Sequence, residues 1–118
     1  MKKFLILYTS PTPAQEEMAK GSPEQRKAGT EAWVAWAKKA GNALVELGAP
    51  LADAGATHSK VTGFSILQAN SASEIEQIVK DNPHQKMQGS GIEIHEFIDV
   101  PGMSQDQTSK RELEYSKR

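Results

Sequence analysis

Cysteine is absent from this 118-residue sequence. That excludes a disulfide scaffold, thiolate metal sites and cysteine nucleophiles, and it fits a reducing compartment. No apolar run approaches the roughly 18 residues that a membrane-spanning helix needs. The stretch Phe4 to Tyr8 follows two lysines but ends after five residues, whereas a secretory signal carries about 7–15 apolar residues. The expectation is a cytoplasmic chain with no membrane partner. An excess of one charge is also lacking, since 14 Lys and Arg stand against 15 Asp and Glu. Nothing is available to neutralise a phosphate backbone, so nucleic acid is not an expected partner. Gly89-Ser90-Gly91 has neither the length nor the following helix of a phosphate-binding loop. His58, His84 and His95 show no metal-ligand spacing, and neither a metal nor another cofactor is expected. Apolar residues are few at 37%, so either a polar tail dilutes the count or a partner chain completes the core.

What remains is a regular alternation of strands and helices. Lys2 to Thr9 is a dense apolar run stopped by Ser10-Pro11-Thr12-Pro13, which suits a central strand. Ala14 to Lys20 reads as a short helix closed by Gly21. Ser22-Pro23-Glu24-Gln25 is a stronger start signal, with a capping serine, a proline at the first helical position and Gln25 three residues after the cap. The helix it opens runs to Ala40. Ala28, Ala32, Trp33, Trp36, Ala37 and Ala40 form its expected apolar stripe. Gly29 interrupts that helix and suggests a close backbone approach. Ala43 to Leu47 is the second strand, bent by Gly48-Ala49-Pro50-Leu51, and Ala52 to Lys60 is a loop or irregular edge. Val61 to Ala69 is the third strand, with Ser65, Leu67 and Ala69 on one face. Ser71 and Glu74 form a capping box for a helix that ends near Lys80, before Asn82-Pro83. Ile92 to Val100 is the fourth strand. Ile92, Ile94, Glu96 and Ile98 share one face of it; Glu93, His95 and Phe97 share the other.

The order β-α-β-β-α-β defines an α+β, ferredoxin-like arrangement: a four-stranded antiparallel sheet with two helices on one face. The other face mixes apolar and polar residues and is expected to meet the same face of a second copy in a two-fold homodimer. Residues 1–102 make up this domain. Residues 103–118 are a polar tail, disordered alone or docked on a partner.

His84 is the leading candidate for chemistry. It follows a conformationally restricted proline, lies close to Asp81, and sits in a loop held between a helix and a strand. Imidazole ordinarily titrates near neutral pH, which suits proton transfer. The plainer alternative is a surface histidine, or one that caps the helix C-terminus. Glu93 and His95 lie two residues apart on one strand face, about 6–7 Å between Cα atoms. If that face lines a cleft, they converge there with Ser65 or Tyr8; otherwise they are an interface or solvent-facing pair. Trp33 and Trp36 are either walls for an aromatic ligand or core anchors.

The opening strand KKFLILY, Ala40-Gly41, Leu47-Gly48-Ala49-Pro50-Leu51, Gly63-Phe64-Ser65-Ile66, the Asp81-Asn82-Pro83-His84 turn and Gly91-Ile92-Glu93-Ile94 follow in the order and spacing of a known family. Over about residues 2–102 the chain resembles the YCII-related proteins, which have the dimeric α+β barrel fold. The resemblance implies a cleft at the helix–sheet edge near a dimer interface. In some members it also implies a His on the first helix paired with an Asp just before the turn's proline, and lyase-like chemistry that includes dehydrochlorination of an aromatic substrate. This sequence departs at both positions. Thr30 or a neighbour stands where the His would be, and Asn82 where the Asp would be. The function expected is binding of a small aromatic or carbonyl-containing molecule near His84, Trp33, Trp36, Ser65, Asp81, Glu93 and His95. His84 would be the base of a cofactor-free lyase or isomerase reaction. The alternative is a non-catalytic ligand-sensing or assembly module.

Overall fold

In the computed structural model, which describes residues 1–102, strand β1 (Lys2–Thr9) is the spine of the sheet. Its side chains alternate strictly: Phe4, Ile6 and Tyr8 are buried, while Leu5 and Leu7 on the other face are half-buried. Strand β2 (Leu44–Pro50), β3 (Val61–Ala69) and β4 (Gly91–Glu96) complete a four-stranded sheet in the order β2-β3-β1-β4. Each neighbouring pair is antiparallel. With helices α1 (Ala14–Lys20), α2 (Pro23–Ala40) and α3 (Ala72–Val79), this is the ferredoxin-like α+β arrangement. Among the described residues no helix is long and apolar enough to cross a membrane. The expected tail, 103–118, lies outside the described residues.

The helix starts follow from their caps. Ser22 Oγ accepts from the Gln25 amide at 3.1 Å and Gln25 Oε1 accepts from the Ser22 amide at 2.8 Å, a complete capping box. Ser71 Oγ accepts from the Glu74 amide at 3.3 Å at the head of α3. The core gathers Phe4, Ile6 and Tyr8 of β1, Leu67 and Ala69 of β3, Ile75 and Val79 of α3, and Trp36 of α2. The Trp36 indole N–H donates to the Ile78 carbonyl at 3.1 Å and so ties α2 to the end of α3.

Three local readings need correction. The apolar stripe of α2 is buried only from Trp33 onward; Ala28 and Ala32 are exposed. Alanine gains little from burial, and this half of the helix flanks a cleft rather than the core. β4 ends at Glu96, not Val100. Phe4 pairs with Glu96 and the Phe97 amide donates to the Lys3 carbonyl, so β4 has reached the start of β1 and runs out of backbone to pair with. β2 extends past Leu47 to Pro50 by way of two register shifts. Gly48 makes the second possible. Its φ is +90°, and a Cβ there would lie 1.7 Å from the Phe64 carbonyl oxygen, so only glycine lets the two strands approach.

Candidate functional site

Between α1, the N-terminal half of α2 and the β2–β3 edge of the sheet lies a cleft of about 680 Å³. Its floor is aromatic. Tyr8 meets Trp33 at 5.2 Å between ring centroids and 77° between planes, and meets the His84 ring at 5.2 Å and 53°. Trp33 in turn stands against Trp36 at 5.8 Å and 85°, which carries the stack into the core. Met18, Leu47 and Met87 add apolar wall; Arg26, Gly29 and Thr30 line the same cleft from α2.

His84 is held from both ends in a short 3-10 turn (Pro83–Lys86). Its amide donates to Asn82 Oδ1 at 2.8 Å, and its Nε2 lies 2.7 Å from the Thr9 carbonyl oxygen. A carbonyl can only accept, so Nε2 carries a proton. In the neutral ring the lone pair is therefore on Nδ1. His84 is only 5% exposed, yet it contributes to the cleft wall. That combination orients the imidazole and still leaves it within reach of a bound molecule.

Beneath the cleft runs a buried hydrogen-bond chain with one direction. Asn82 Nδ2 donates to the Tyr8 hydroxyl at 3.2 Å, Tyr8 donates to Ser65 Oγ at 2.8 Å, and Ser65 donates to the Leu47 carbonyl at 2.6 Å. It links the turn after α3 to β1, β3 and β2. Asn82 and Ser65 are essentially fully buried, and among the described residues no buried side-chain polar atom lacks a partner. Burial raises the Tyr8 hydroxyl above the usual tyrosine pKa, and its bonds to Ser65 and Asn82 oppose part of that rise.

The residues singled out in the sequence are therefore split among five places. His84 and Trp33 meet in the cleft. Trp36 lies in the core beside it, and Ser65 lies behind Tyr8, engaged on both sides. Asp81 is exposed and bonded to Lys39 at 2.5 Å; that hydrogen bond, with the lysine's charge, lowers its carboxyl pKa. Glu93 and His95 are paired with each other at 2.9 Å on the opposite face of the sheet. Strand parity decides this: Glu93 is opposite Leu7 and His95 opposite Leu5, on the side away from the helices. Among the described residues no three His, Asp or Glu side chains gather as a metal site. Arg26 and Gly29 were missed. The signal that carries them is their spacing with Trp33 along one face of α2, which an alanine-weighted stripe obscures.

The fold is one of known architecture: an antiparallel α+β sheet of ferredoxin-like topology with a cleft at its helix edge. Among solved structures it is similar to the 5-chloro-2-hydroxyhydroquinone dehydrochlorinase of Burkholderia phenoliruptrix AC1100, in complex with 2,5-dihydroxybenzoquinone. The match has a TM-score of 0.55 and 17% sequence identity, and covers 88% of this chain and 100% of that one. No family model matches the chain, and no curated protein sequence does. At this identity the likeness establishes the fold.

Proposed function

We propose that this chain is a divergent YCII-related protein that binds a small aromatic or carbonyl-containing molecule in the cleft, with His84 as general base in a cofactor-free lyase or isomerase reaction. The observation that carries this reading is the orientation of His84. Its Nε2–H is committed to Thr9, which leaves Nδ1 to take a proton, and it stands beside the Tyr8–Trp33 stack. The similar structure holds a hydroxyquinone, and a planar ring of that size suits an aromatic-floored cleft. The half-buried Leu5, Leu7 and Ile66 on the open face of the sheet support a homodimer of the dimeric α+β barrel kind.

One observation favours the second reading, a ligand-binding module without chemistry. Asn82, standing where the family's Asp would be, is buried and fully engaged with Tyr8 and His84, and Asp81 is turned out to Lys39, so the turn offers the cleft no carboxylate.

The test is titration of wild type and His84→Ala with 2,5-dihydroxybenzoquinone, hydroquinones and their halogenated forms, followed by thermal shift and product analysis. A native-state ligand at a hundredfold excess over its Kd adds about 2.7 kcal/mol of stability. Turnover by wild type that is lost in His84→Ala, with the fold intact, supports the enzyme. Unchanged turnover removes His84 from the mechanism, and binding without turnover favours the module.

A further inference from the structure

The stripe of α2 that faces the cleft changes character halfway along the helix. Arg26, Gly29, Thr30 and Trp33 fall at spacings of three, one and three, so they lie on one face, and all four line the cleft. Two of them work against the helix that carries them. Arg26 stands four residues after the Ser22 cap, and a cation near a helix N-terminus opposes the helix dipole. Gly29 sits mid-helix, where alanine would be more stable.

Neither is explained by packing. A Cβ built on Gly29 meets no atom within 4 Å, so no close backbone approach requires the glycine; what it leaves is space in the cleft wall. Among the described residues no carboxylate pairs with Arg26. Glu17, also in the cleft lining, is turned to Lys20 at 3.4 Å. The neighbouring Gln25 side-chain oxygen is taken by the Ser22 amide, and the Thr30 hydroxyl donates to the Arg26 carbonyl at 3.1 Å. Arg26 is thus an exposed cation at the rim of a largely apolar cleft, with a gap one turn away and an indole beyond it.

We propose that this face of α2 recognises an aromatic acid. The ring lies over Gly29 beside Trp33, and its carboxylate, or an equally acidic enolate, accepts paired hydrogen bonds from the Arg26 guanidinium. This rests on the cleft being a ligand site, and it adds the charge of the ligand and the residue that reads it.

The probes are 2,5-dihydroxybenzoate and its neutral methyl ester, titrated by tryptophan fluorescence into the full chain as wild type, Arg26→Leu, Arg26→Lys and Gly29→Leu. Wild type binds the acid roughly tenfold more tightly than the ester, as one charge-assisted pair implies. Arg26→Leu removes that preference by weakening the acid alone, and Arg26→Lys keeps part of it. Gly29→Leu weakens both probes while raising the melting temperature, which separates blockage from misfolding. Equal binding of acid and ester, or a preference that survives Arg26→Leu, overturns the assignment to Arg26. In that case blockage by Gly29→Leu still upholds the cleft. Binding unaffected by Gly29→Leu overturns the placement over Gly29. Failure of both probes on wild type at millimolar concentration overturns the aromatic-acid class, and the quinone titration then judges the cleft by itself.

Discussion

Replacing Asn82 by alanine tests whether the turn before His84 is held by the buried chain or merely decorated by it. The substitution removes two hydrogen bonds: the one from the His84 amide to Oδ1 at 2.8 Å and the one from Nδ2 to the Tyr8 hydroxyl at 3.2 Å. The two losses are unequal. Tyr8 keeps its donation to Ser65 and loses one accepted bond, about 1 kcal/mol. The His84 amide is left in a buried turn with no acceptor, which costs about 1–3 kcal/mol. The backbone bonds from the Asn82 amide to Val79 and from the Gln85 amide to Asn82 survive, so the turn itself persists. The expected total is about 2–4 kcal/mol. With a urea dependence of about 1–3 kcal/mol per molar for a small domain, the midpoint of unfolding should fall by roughly 1–2 M at unchanged slope. Equilibrium urea unfolding followed by tryptophan fluorescence measures it directly, because Trp33 touches Tyr8. A fall of less than about 0.5 kcal/mol, the range of ordinary surface substitutions, would falsify the view that this chain organises the site. Asn82→Asp is the informative companion. It keeps an acceptor for the His84 amide but buries a carboxylate, whose pKa burial raises above its unfolded value. The unfolded state then loses its proton first, so the Asp variant is close to wild type in acid and loses stability as pH rises above about 4.

Two further outcomes follow from named groups. The raised Tyr8 pKa means that the unfolded chain releases this proton before the folded one; stability is full below the ordinary tyrosine pKa of about 10 and falls as pH rises through the folded value. Tyr8→Phe should abolish that alkaline loss in melts scanned against pH, and should destabilise the fold at neutral pH by about 1–3 kcal/mol by leaving the Asn82 amide unpaired; a variant that keeps the wild-type alkaline slope refutes the assignment. Leu7→Glu places a carboxylate directly opposite Glu93 on the open face of the sheet, and sedimentation should show the proposed homodimer in wild type and monomers in the variant; a dimer unaffected by the substitution moves the interface to another surface, and a monomeric wild type refutes the dimer.

Much of the fold was legible because local signals and global topology agree. The dense apolar run of Lys2–Thr9, the capping box at Ser22 and Gln25, and the serine cap ahead of Glu74 each specify an element by its own chemistry. The misread pieces depend on partners that local patterns do not contain. The end of β4 is set by where β1 begins, and the extent of β2 by a glycine whose need appears only when Phe64 lies across from it. The same division runs through the site. His84 stood out because proline and loop position mark it locally. That Glu93 and His95 face away from it is a matter of sheet parity, settled once the helices choose a side.

Asn82, one of the two positions at which the sequence departs from the YCII-related pattern it resembles, is bonded directly to both Tyr8 and His84. An aspartate before Pro83 would be an acceptor only when ionised, so Tyr8 would have to turn its proton toward it and away from Ser65. With Asn82 the donors run one way, from the amide through Tyr8 and Ser65 to the Leu47 carbonyl, and every member is satisfied without a charge. The same asparagine accepts from the His84 amide and so sets the turn that points the imidazole at Thr9. The residue that withholds a carboxylate thereby positions the imidazole on which the proposed chemistry rests. The missing carboxylate, which favours a binding module, is thus set against a fixed imidazole: an uncharged hub beneath the cleft lowers the cost of burying it, and in the proposed reading the Nδ1 lone pair of His84 is the group that takes the proton.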